Sequence, residues 1–104
     1  MVAALLQDNR LLVHPFVIGE VALGRLKPRG ELLAQFFDLP HAIHALDEDV
    51  MEFIEREKLF GVGIGYVDVH LLASVRLMPG SSLWTRDKRL KEVARKLGMA
   101  AGLN

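Results

Sequence analysis

The 104-residue chain is 51% apolar and 25% charged, has no cysteine, and balances 13 basic against 13 acidic side chains. That composition fits one globular domain spanning 1–104, argues against disorder, and removes thiol catalysis, cysteine–zinc sites and a disulfide framework together. The longer apolar runs, such as Val67 to Val75, which Asp68 and His70 break, are too short or interrupted for a membrane span; without a signal-peptide pattern the sequence reads as cytoplasmic.

Met1 to Gln7 reads as a piece of helix that begins without a cap. Leu11-Leu12-Val13 is a short apolar run and a buried-strand candidate. His14-Pro15 then opens a helix, because proline suits the first helical position, where no N–H is needed. That helix carries Phe16, Val17, Glu20 and Leu23 and fades at Gly24, before a turn at Lys27-Pro28-Arg29-Gly30. Glu31 to Asp38 sets Leu32, Leu33, Phe36 and Phe37 at helical spacing until Pro40 stops it. Ala42 to Leu46 is a second short strand candidate.

Asp47 is placed to cap the next helix, with Glu48 and Asp49 in its positive first turn and Arg56 and Lys58 near its negative end. Its apolar stripe is Val50, Phe53 and Ile54, and Gly61, Gly63 and Gly65 form a flexible connector behind it. Tyr66 to Met78 is apolar on nearly all sides, which predicts a central, buried helix. Pro79-Gly80-Ser81-Ser82 turns the chain into a third strand, Leu83-Trp84-Thr85, whose Trp84 reads as core, as does Tyr66. The last helix, Lys88 to Leu97, holds Leu90, Val93, Ala94 and Leu97 in register and ends at Gly98. Strands alternating with helices predict an α/β domain with a parallel sheet flanked by helices, and such sheets bind ligands beyond the carboxyl ends of their strands.

Charge is unevenly placed. Asp47 to Lys58 holds six acids against two bases, and Arg76 to Asn104 holds seven bases against Asp87 and Glu92. Both runs read as solvated helix faces, although a local basic face also suits a polyanionic partner.

Three acids stand out by position. Glu20 shares a helix face with Phe16 and Leu23, Asp68 lies in line with Leu71, Leu72 and Val75, and Asp87 follows directly on a strand. Unpaired buried carboxylates are costly, and a hard cation such as Mg²⁺ or Mn²⁺ is the natural partner of an all-oxygen set. Each acid also has a structural explanation. Asp87 can cap the last helix, Asp68 can offset a helix dipole, and a pair with Arg25 or Arg86 would satisfy Glu20. Other motifs fail: Gly61-x-Gly63-x-Gly65 has the wrong spacing for a dinucleotide loop, and no Walker sequence exists. His41 and His44, three apart around an expected strand start, would face opposite ways, which argues against a metal pair. His70 points away from Asp68 on its helix, and no serine has evident His/Asp partners.

His14-Pro15-Phe16-Val17-Ile18-Gly19-Glu20, Gly63-Ile64-Gly65-Tyr66-Val67-Asp68-Val69-His70-Leu71-Leu72-Ala73-Ser74 and Leu83-Trp84-Thr85-Arg86-Asp87-Lys88-Arg89-Leu90 resemble the PIN-domain ribonucleases, and within them the VapC toxins of bacterial toxin–antitoxin pairs. The likeness covers essentially the whole chain in order. It implies a Mg²⁺- or Mn²⁺-dependent endoribonuclease in which four acids hold the cation and activate water. Glu20, Asp68 and Asp87 match three of the four, and Thr85 matches a supporting hydroxyl. Arg86, Lys88 and Arg89 are expected to hold the RNA backbone. The resemblance further implies a homodimer and a small VapB-type antitoxin whose tail enters the acidic cleft.

The family's first strand, with its acid, has no counterpart here, so the expectation is a PIN-like fold truncated at the N-terminus. A late start site, a degraded gene or another segment filling the gap would each account for that. Weak or absent activity is the corresponding expectation, and a catalytically inactive module that captures antitoxin or pairs with other toxin subunits is the alternative.

Overall fold

The computed structural model describes residues 3–8, 10–24 and 27–102. Met1, Val2 and Arg25, which enter the sequence expectations, lie outside them. Among the described residues, three strands and five helices follow one another as β1 (Ala3–Gln7), β2 (Arg10–Leu12), α1 (Pro15–Leu23), α2 (Arg29–Asp38), α3 (Asp47–Glu57), α4 (Tyr66–Leu77), β3 (Ser81–Thr85) and α5 (Lys88–Lys96).

The N-terminal segment is a strand, not the expected helix, and it lies at the centre of the sheet, in the order β2-β1-β3. Leu5 pairs with Leu12 on one side and Leu83 on the other, and Ala3 and Leu5 point into the core. Alanine and leucine are good helix formers, but hydrogen bonds along both edges outweigh that local preference. The turn after β1 is tight, with Asp8 in the left-handed region at φ 52°, a conformation aspartate tolerates better than most residues.

The expected parallel sheet is corrected as well. β1 runs antiparallel to both neighbours. β2 and β3 consequently run parallel to each other, the relation that strand–helix alternation requires. Only the central strand is reversed. The second expected strand, Ala42 to Leu46, forms no ladder. The chain there makes a single parallel bridge, His41 to Val13, with Ala42 N–H donating to the Val13 carbonyl at 2.7 Å. On the far edge of β3, the Leu83 N–H donates to the Met99 carbonyl at 2.7 Å and the Leu83 carbonyl accepts from the Ala101 amide at 2.8 Å, so the segment after α5 covers that edge.

Local chemistry sets most helix ends. Pro15 is the first residue of α1, and His14 caps it, its Nδ1 accepting the Phe16 amide at 3.0 Å. Asp47 is inside α3 rather than its cap: Leu46 takes the cap position without a side-chain bond, and the Asp47 carboxylate turns toward α4. Every residue of α4 from Val69 to Val75 is buried, as expected of a central helix. Its Ser74 donates to the Ile43 carbonyl at 2.6 Å, so the hydroxyl is satisfied there. Around α4 pack Leu5, Val50, Phe53, Leu83 and Leu90, all essentially inaccessible. Tyr66 is not core but 45% exposed, and Trp84 is only half-buried, with the Arg86 guanidinium 5.8 Å from its ring centre.

Candidate functional site

Asp68 and Asp87 sit at helix starts and Glu20 in the second half of α1, but none is the fully buried carboxylate that apolar neighbours suggested. Glu20 and Asp87 are exposed and Asp68 is half-buried. Asp68, in the first turn of α4, reaches back so that its Oδ2 accepts the Gly65 amide at 3.3 Å. Asp87 caps α5, its Oδ1 accepting the Leu90 amide at 3.0 Å, while its own amide donates to the buried Thr85 hydroxyl at 3.1 Å. Two of the three therefore also fill the structural roles open to them, which fixes their orientation. Among the described residues, Glu20, Asp68 and Asp87 do not form a group whose oxygens lie within ligand reach of one another.

Of the basic residues, Arg86 and Lys88 share an open depression of about 340 Å³ with Trp84, Thr85 and Lys91. Arg89 goes elsewhere. Its guanidinium lies against Gly63, whose φ of +86° and lack of a side chain make room for it, and it lines a second depression with Lys58 and Lys96.

Sequence reasoning missed the densest cluster of chemistry. His14, His44 and His70 each bring a ring nitrogen to within 4.8 Å of the others. The His44 ring centre lies 5.2 Å from each of the other two, and Phe16 packs edge-on against His44 and His70. His70 Nε2 donates to Asp47 Oδ1 at 3.2 Å, and the Tyr66 hydroxyl donates to the same oxygen at 3.0 Å. His41, the other member of the rejected pair, is exposed and turns to the Phe37 carbonyl. The rejection rested on an expected strand that does not form. His14, the cap of α1, gave no hint in the sequence that residues 44 and 70 would meet it.

Burial, reinforced by the neighbouring His44 and His70, lowers the His14 pKa from 6.5 to about 4. An unfolded chain would protonate this ring below its ordinary pKa while the folded chain resists until about 4. Stability is therefore fully present above that ordinary value and declines as pH falls toward the folded one, by about 3 kcal/mol in all. Urea denaturation of metal-free protein at neutral and mildly acidic pH measures the loss. A His14→Asn variant keeps a cap acceptor and should show a visibly flatter pH dependence; an unchanged slope would assign the loss to other groups.

Two proteins named Ribonuclease VapC32, from two strains of Mycobacterium tuberculosis, are each 43% identical to the chain over 99 residues, covering 92% of it and 77% of their own length. No family profile and no solved structure matches it. Identity of that level over most of both sequences spans the segments carrying Glu20, Asp68, Thr85 and Asp87, and the chain belongs to the VapC ribonuclease family.

Proposed function

We propose that the chain is a Mg²⁺- or Mn²⁺-dependent endoribonuclease toxin that hydrolyses RNA phosphodiester bonds, acting as a single PIN-like domain. The observation that carries this reading is its kinship with the VapC ribonucleases over nearly the whole chain. Glu20, Asp68 and Asp87 are the acids assigned to the cation. Their all-oxygen chemistry suits a hard ion, which commonly keeps several waters and takes only one or two carboxylates directly. A bound ion of this kind polarises phosphoryl oxygens and lowers the pKa of a water.

The chain's own residues do the rest. The Gly65 amide holds Asp68, the Leu90 amide holds the Asp87 carboxylate, and Thr85 anchors the backbone of Asp87. Arg86 and Lys88, side by side in their depression, grip RNA phosphates, and Trp84 offers a ring face beside them. Arg89 contributes to RNA binding from the neighbouring face of α5. A VapB-type antitoxin and a second copy of the chain are the protein partners in this reading, and the cytoplasm is its place. Among the described residues, no helix is long and apolar enough to cross a membrane.

One observation favours a second reading. The three acids stand apart, which suits a module that captures antitoxin or pairs with other toxin subunits without cutting. Cleavage of a panel of structured RNAs by purified protein, with Mg²⁺, with Mn²⁺ and with EDTA, separates the two. The nuclease reading expects slow, cation-dependent cutting. No cutting at all would remove it and leave the binding module, whereas cutting indifferent to EDTA would remove the cation dependence.

A further inference from the structure

We propose that His14, His44 and His70 bind one divalent cation of the zinc class, at a site separate from the acids assigned to Mg²⁺ or Mn²⁺. Three imidazoles suit Zn²⁺, Ni²⁺ or Co²⁺, whereas Mg²⁺ and Mn²⁺ prefer oxygen. The nitrogens lie within 4.8 Å of one another, so small ring rotations bring them toward the Zn–N distance of about 2.0–2.1 Å.

The cluster contains two polar atoms that the fold leaves unexplained. His14 and His70 are 1% and 0% exposed, and His14 Nε2 and His70 Nδ1 are buried with no hydrogen-bond partner among the described residues. Buried nitrogens without partners are costly and rare. His70 is already set as a ligand. A carboxylate accepts only, so the Asp47 contact fixes the proton on Nε2 and leaves the Nδ1 lone pair free. The Asp47–His70 arrangement is the one that commonly orients metal-binding histidines. His44 is exposed, which gives an ion a path from solvent and leaves a position for water.

His14 is the conditional third ligand. Its Nδ1 accepts the Phe16 amide, so the neutral ring carries its proton on Nε2. To ligate through Nε2 it must shift that proton to Nδ1 and release the helix cap; no proton leaves the ring in the exchange. His44 and His70 therefore form the principal pair, and His14 joins at the cost of one hydrogen bond. Bound metal would tie together the start of α1, the segment before α3 and the middle of α4, which raises stability by mass action.

Calorimetric titration of ZnCl₂ into untagged, EDTA-stripped and desalted protein in excess Mg²⁺ tests the site, with Co²⁺ absorption reporting ligand geometry. One equivalent should bind, with a rise in melting temperature and a tetrahedral Co²⁺ spectrum. His44→Ala alters an exposed residue and should leave the fold intact, as circular dichroism would show, while weakening Zn²⁺ binding beyond the effect of Asp47→Asn. Asp47→Asn should itself cost about 10- to 100-fold. His14→Asn retains a cap acceptor and should weaken binding by removing the third nitrogen. Absence of saturable Zn²⁺ binding would overturn the proposal, as would affinity unchanged in His44→Ala, which would put the ion on the carboxylates.

Discussion

Replacing Asp68 by asparagine should cut cation-dependent RNA cleavage at least a hundredfold while leaving the melting temperature nearly unchanged. The two effects separate because the side chain does two jobs. Its Oδ2 accepts the Gly65 amide at the start of α4, and an asparagine oxygen can accept that bond equally well, so the helix start is kept. What asparagine lacks is the charge that attracts a hard cation. Loss of a group that merely orients a ligand typically costs 10- to 100-fold, so loss of a direct ligand should cost no less than the upper figure. Initial rates at saturating Mg²⁺, beside a thermal melt, measure both quantities. Asp68→Ala should lose the activity and about 1 kcal/mol of stability besides, the usual worth of such a bond at a helix start. If Asp68→Asn kept more than a tenth of the activity, Asp68 would not be holding the ion.

Leu5→Ala should be among the most damaging apolar truncations, at about 3–5 kcal/mol. Leu5 is 2% exposed and lies on the middle strand, opposite Leu12 and Leu83. Truncating it leaves a void with sheet on both sides and α4 beneath, and little can collapse into such a space. Whole domains are stable by only about 5–15 kcal/mol, so this one change consumes a large share. Leu6, its half-buried neighbour on the opposite face, should cost much less as Leu6→Ala. Urea unfolding of the two variants compares them directly. Equal effects would mean that the strand does not occupy the centre of the sheet.

The parts of the fold that were legible in the sequence are those decided within a few residues. Pro15 after His14 marks a helix start through the chemistry of a missing N–H, and Asp87 before Lys88 marks another through a side-chain acceptor. The stretch Tyr66 to Met78, apolar on nearly all sides, announced a buried helix because such a pattern needs no outside information, and the structure buries its middle, Val69 to Val75, while Tyr66, Arg76 and Leu77 stay exposed. Ala3–Gln7 was misread because what makes it a strand lies far away, in residues 10–12 and 81–85. Asp47 looked like a cap and is instead the hub for Tyr66 and His70, for the same reason. The site divides likewise. Each acid could be located on its helix, but whether the acids meet depends on how the helices sit. Histidines at 14, 44 and 70 share no period and come together only once β2, the 41–46 segment and α4 are assembled.

The central position of β1 also governs how the molecule must be made. β2 follows it after one tight turn, so that hairpin can form early, but the other partner, Ser81–Thr85, lies almost the whole described chain away. Pairings of such high sequence separation slow folding, because chain entropy is lost before the contacts form. On the ribosome, β1 leaves the exit tunnel well before β3 and waits with one hydrogen-bonding edge open. An open strand edge is a template for any extended segment, so the nascent protein is most exposed to aggregation, or to adoption by a foreign strand, in the interval before β3 arrives.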